Sequence, residues 1–138
     1  MIQRHPGRFL LVPGWGLALV TAAVLLAACN KHSSPAPAVV IDSEITPQPV
    51  QVGLVTLTLK LRNSSAEPVS GAHITLEGDM SHPGMGPVFG QAKEIAPGRY
   101  QGALQLNMPG DWVVVAHVIL ANGQEIDHQI DVKGVQAN

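Results

Sequence analysis

The sequence predicts an all-β domain, and three observations carry the prediction. Several short runs alternate apolar and polar residues, the period-two pattern of a strand with one buried face. Segments rich in Gly, Pro, Asn and Ser separate the runs and supply turn chemistry. After Cys29, no stretch of ten or more residues shows a helical stripe.

Seven strands are expected, at 39–45, 52–62, 71–79, 87–95, 99–107, 111–121 and 124–133. In "VTLTLKLRN", Val55, Leu57, Leu59 and Leu61 alternate with Thr56, Thr58, Lys60 and Arg62. "AHITLEG" sets Ala72, Ile74 and Leu76 against His73, Thr75 and Glu77. "RYQGALQLN" puts Tyr100, Gly102, Leu104 and Leu106 on one face. "DWVVVAHVIL" is apolar on both faces, as a central strand is, with Trp112 on the face of Val114 and Ala116. "QEIDHQIDVK" alternates Ile126, His128, Ile130 and Val132 with Glu125, Asp127, Gln129 and Asp131. Asn122-Gly123 stands between the last two runs, the strongest short-range hairpin signal. Seven short strands at this spacing imply an immunoglobulin-like β-sandwich of antiparallel strands; a small barrel is the alternative.

The N-terminus predicts export. Arg4 and Arg8 precede an uncharged run from Phe9 to Cys29 that ends in "LAAC". A basic region followed by an apolar run is the pattern of a signal peptide. The tetrapeptide Leu26–Cys29 resembles the lipobox of bacterial lipoprotein signals, which implies cleavage before Cys29 and lipidation of that cysteine. Residues 1–28 are therefore expected to be a lipoprotein signal peptide, and 29–38 the lipidated Cys and a flexible tether, "NKHSSPAPA". Residues 39–134 form the β-domain. Asn30, which follows the cysteine, favours the outer over the inner membrane of the cell envelope under the lipoprotein pattern. Multiple acyl chains would anchor the protein to the membrane.

Composition narrows the function. Cys29 is the single Cys, so no intramolecular disulfide is possible. Two of the eight Lys and Arg precede Cys29, so six face ten Asp and Glu, a net charge of −4 with His neutral. With no basic patch, and with Phe89, Tyr100 and Trp112 as the aromatics of this part, a nucleic-acid partner is not expected. The sequence holds no nucleophile elbow, HExxH or P-loop. No enzyme is expected.

Two segments carry a resemblance. "EPVSGAHITLEGDMSHPGMG" and "IAPGRYQGALQLNMPGDWVVVAHV" are similar to the YtkA-like and FixH-like family of extracytoplasmic β-domains, with matching pieces at Gly98–Tyr100 and Gly110–Trp112. The resemblance implies an immunoglobulin-like sandwich, export, and an association with copper handling or respiratory oxidase assembly.

The loop "GDMSHPGMGPVFG" places Met80, His82 and Met85 among Gly and Pro, and "NMPGD" adds Met108. If strands alternate in direction, both loops fall at the same end of the domain. Thioethers are soft ligands that select Cu(I), and imidazole accepts either copper oxidation state. Met80, His82, Met85 and Met108 are thus candidate metal ligands, with copper(I) as the expected cofactor. The competing reading makes the methionines apolar plugs, with Met108 in the core. Asp79 and Asp111 flank the loops and could form an acidic rim. His73, His117 and His128 read as structural, with His128 either buried and hydrogen-bonded or facing a partner. The leading expectation is a lipid-anchored periplasmic module that binds copper. The alternative is an interaction or assembly module that docks an envelope or respiratory partner through adaptable methionines and binds no metal.

Overall fold

The computed structural model describes residues 38–82 and 84–138. The expected signal peptide, the lipidation site Cys29 and the tether up to Pro37 lie outside these residues. Seven strands follow in order: β1 Val40–Thr46, β2 Gly53–Arg62, β3 His73–Met80, β4 Val88–Ala96, β5 Arg99–Leu106, β6 Gly110–Ile119 and β7 Glu125–Val135. Every end lies within two residues of its expected place. The described residues contain no helix.

The period-two pattern sets which side chains go inside. Leu57, Leu59 and Leu61 of β2 are fully buried, as are Leu104 and Leu106 of β5 and Val114 and Ala116 of β6. Each fully buried aliphatic side chain of Val or Leu size contributes about 1.5–3 kcal/mol. β7 is shallower than its pattern suggests: Val132 is buried, whereas Ile126 and Ile130 are half-buried at the margin of the core. The β6–β7 hairpin closes through Leu120 N donating to Gln124 O and Gly123 N donating to Leu120 O. Gly123 takes φ 85°, the left-handed conformation that this turn demands of its last residue.

All seven strands belong to one antiparallel hydrogen-bonded sheet, in the order β1-β2-β5-β4-β3-β6-β7. The sandwich is therefore one continuous sheet folded over, and β4 is shared by its two halves. Glycines make that corner possible. A Cβ on Gly102 of β5 would stand 2.7 Å from Gln91 O and 2.8 Å from Leu76 Cδ1, and one on Gly78 of β3 would stand 2.8 Å from Leu104 Cδ2. A Cβ on Gly90 of β4 would collide with Ala103 O. The inner faces of β3 and β5 meet because these positions carry no side chain.

The two ends of the strand order also approach each other. Gln51 and Gln136 form a parallel bridge, with Val52 N donating to Gln136 O at 2.8 Å and Gln136 N donating to Val50 O at 2.9 Å. His128 of β7 lies 3.3 Å through Nε2 from Ser43 Oγ of β1. At the far end of the domain, Tyr100 Oη donates to Val69 O at 2.9 Å and accepts from Ala72 N at 3.0 Å. Burial pushes the Tyr100 phenol up from its ordinary pKa. Nearby, the Glu94 carboxylate accepts from Gly71 N and Gly98 N, both at 3.0 Å. The Gly71 hydrogen bond, with others from Ser70 and Gly98, holds that carboxyl below the usual range.

Candidate metal centre

Strand register fixes which loops are neighbours. Met80 ends β3 opposite Trp112 of β6. Gly53 starts β2 opposite Leu106, which ends β5. Gly110 starts β6 opposite Val135, which ends β7. The β1–β2, β3–β4 and β5–β6 connections therefore share one end of the domain, as alternating strand direction requires.

At that end Met80, His82, Gly84, Met85, Met108 and Pro109 line one hollow of about 310 Å³. All four residues singled out in the sequence meet there. Met80 is half-buried and packs against the core. Met85 and Met108 are 39% and 41% exposed, and His82 is exposed. β5 stops at Leu106, so Met108 belongs to a connection and does not extend the inward parity of β5 into the core. Gly84 takes φ 98°, a conformation L side chains rarely adopt, in the loop that carries His82 and Met85.

The loops are held from beneath by the start of β6. Trp112 is 1% exposed, and its Nε1 donates to Met108 O at 3.0 Å. Ser81 N and Oγ both donate to Asp111 O, at 3.3 and 3.4 Å. The Asp111 carboxylate accepts from Gly134 N at 2.9 Å and lies 3.5 Å from Lys133 Nζ. The Gly134 hydrogen bond, aided by Lys133 and by the field of His82, holds its carboxyl below the usual range. Asp111 is not among the residues that line the hollow; its carboxylate is taken up by Gly134 and Lys133.

Three thioether sulfurs and one imidazole make a soft donor set, the chemistry that selects Cu(I) over harder ions. Among the described residues, no group of three or more His, Cys, Asp or Glu side chains is placed to hold a metal ion. A metal here would depend on the methionines.

The other histidines lie elsewhere. His73 is exposed, opposite Ile119 at the far end. His128 is half-buried beside Ser43. His117 bridges two strands on the outer face: Nδ1 lies 2.8 Å from Asp127 Oδ1 of β7, and Nε2 lies 2.9 Å from Glu77 Oε2 of β3. The Asp127 hydrogen bond, then that of Glu77, raises the His117 pKa above its ordinary value. Sequence reading missed this trio. Its single signal was outward parity, and parity does not say that β3 and β7 flank β6.

Fold and site together define a small β-module of the extracytoplasmic type with a soft-donor hollow at one end. Residues 39–117 match the family described as YtkA-like, and the chain belongs to that family. The match spans β1 to most of β6 and includes all four hollow-lining candidates. No curated protein matches the chain. Among solved structures, the ZirS C-terminal domain is similar at 13% identity and a TM-score of 0.47, covering 99% of this chain and 87% of that one. Murine CRIg is similar at 7% identity and a TM-score of 0.41, covering 73% of this chain and 98% of that one.

Proposed function

We propose that the protein is a lipid-anchored periplasmic module that binds Cu(I) through Met80, Met85, Met108 and His82. The observation that carries this reading is the convergence of four soft or borderline donors, from the end of β3 and two separate connections, on one hollow. The donors sit at the end of β3 and on the short connections that follow β3 and β5, and a rigid scaffold favours binding by lowering the ordering cost. The role is binding and transfer rather than catalysis, and the anchor is lipid on Cys29, with the outer membrane favoured.

Chain direction supports the anchored arrangement. β2 runs from Gly53 at the Met end to Arg62, which pairs with Val40 where the chain enters the sheet. At about 3.3 Å per residue, this ten-residue strand separates the two ends by about 30 Å. Val40, where the chain enters the sheet, thus lies at the end of the domain opposite the hollow.

A second reading, docking of an envelope partner without metal, is favoured by the exposure of Met85 and Met108. Methionine makes adaptable apolar contacts as readily as it binds soft metals. Titration of the purified chain with Cu(I) against a competing chelator separates the two. The copper reading expects one tightly held ion, weakened by His82→Ala and unchanged by His73→Ala. Equal loss in both variants, or no retained ion, contradicts it.

A further inference from the structure

Both ligand-bearing connections rest on the same short segment, Gly110–Trp112. Asp111 O takes both hydrogen bonds from Ser81, next to Met80 and His82. Trp112 Nε1 donates to Met108 O. Met80 stands opposite Trp112 in the β3–β6 ladder, and its Cε lies 3.3 Å from where a Cβ on Gly110 would be. Gly110 has φ 125°, so the backbone there turns in a way that suits glycine.

We propose that Trp112 is a positioning residue for the hollow: its buried indole N–H fixes the Met108 carbonyl and so sets where the Met108 thioether stands. This rests on the Cu(I) reading given above. An indole N–H is a donor only, and when buried it needs an acceptor. A core role requires the bulk of Trp112 but not this bond, which reaches out of the core to an exposed connection. Without it, the Asn107–Pro109 connection keeps its peptide links to β5 and β6 but loses the contact that holds Met108 over the core.

Two replacements separate the bond from the bulk. Trp112→Phe removes the donor and some volume. Site-specific replacement of Trp112 by benzothienylalanine keeps the bicyclic shape and puts sulfur in place of the N–H. Val118→Ala is the control, because Val118 is buried in the same strand at the other end, opposite Ile74 and Ile126. Each full-length chain, in detergent, is titrated with Cu(I) against a chelator, and its methionine methyl NMR signals are recorded without metal.

Loss of one hydrogen bond should weaken Cu(I) binding by about three- to tenfold in both Trp112 replacements. Val118→Ala should keep wild-type affinity even though it lowers thermal stability. The Met108 methyl signal should shift in the Trp112 replacements and stay in place in Val118→Ala. Wild-type affinity and an unmoved Met108 signal in the benzothienylalanine protein would overturn the positioning role. So would an affinity loss in Val118→Ala equal to that in Trp112→Phe. A wild-type chain that binds no Cu(I) overturns the metal reading instead, and the Met108 signal still decides whether Trp112 positions the loop.

Discussion

Met80, the last residue of β3 and opposite Trp112 of β6, and Met108, between β5 and β6, line the same hollow. One is half-buried and packed on the core; the other is 41% exposed. Neither position depends on a thioether for its packing. Met80→Leu and Met108→Leu should each therefore change unfolding free energy by less than about 1.5 kcal/mol. Urea unfolding of the two variants checks this. A larger loss would make the methionines structural plugs.

The shared strand β4 makes the glycine corner a second point of test. A side chain on Gly102 meets Gln91 O, Ala92 Cα and Leu76 Cδ1, all within 2.9 Å. Two of these atoms are backbone and cannot rotate away. Gly102→Ala should cost about 1–3 kcal/mol, the range for overpacking a core. Gly84→Ala, which meets nothing within 4 Å, lacks that clash and reports backbone strain alone. A thermal melt in which Gly102→Ala matches the wild type would contradict the folded-over corner.

His117 gives the domain a pH-dependent increment. Its pKa is raised in the folded state by Asp127 and Glu77. Its stabilising contribution is therefore fully present below the unfolded-state value of about 6.5 and is lost as pH rises through the folded value. The effect is small because the trio is partly exposed to solvent. Urea midpoints at pH 5.5 and 8.5 should show a His117 contribution at the lower pH that His117→Gln removes. A variant with the same pH dependence as the wild type would show that the bridge does not form in solution.

Cys29 is the single acceptor for lipid in the proposed anchor. Cys29→Ser should leave a longer precursor that does not incorporate labelled palmitate. Palmitate labelling equal to that of the wild type would remove the anchor from the account.

The strands were legible because burial on one face forces period two. Leu57, Leu59 and Leu61 could be assigned inward before any pairing was known, and they are fully buried. The convergence of Met80, His82, Met85 and Met108 was legible too, because alternating strand direction decides which connections share an end. What escaped was everything set by neighbours in space. The sharing of β4 by both halves depends on Gly78, Gly90 and Gly102, and glycines inside strands look like weak points in a sequence. The Glu77–His117–Asp127 bridge depends on strand order. The bond from Trp112 Nε1 to Met108 O joins a residue that reads as core to one that reads as loop. Met108 itself was open to a core reading until the end of β5 at Leu106 placed it in a connection.

The most direct test compares Cu(I) affinity in the wild type and in the Met80→Leu/Met85→Leu/Met108→Leu triple variant, by competition with a chelator at fixed pH. Leucine keeps apolar bulk and removes the three soft donors, so the fold should survive while the affinity collapses. The account predicts a bound Cu(I) in the wild type and none retained in the triple variant. Equal affinity in the two proteins would contradict the copper reading and leave a module that docks a partner through its methionines.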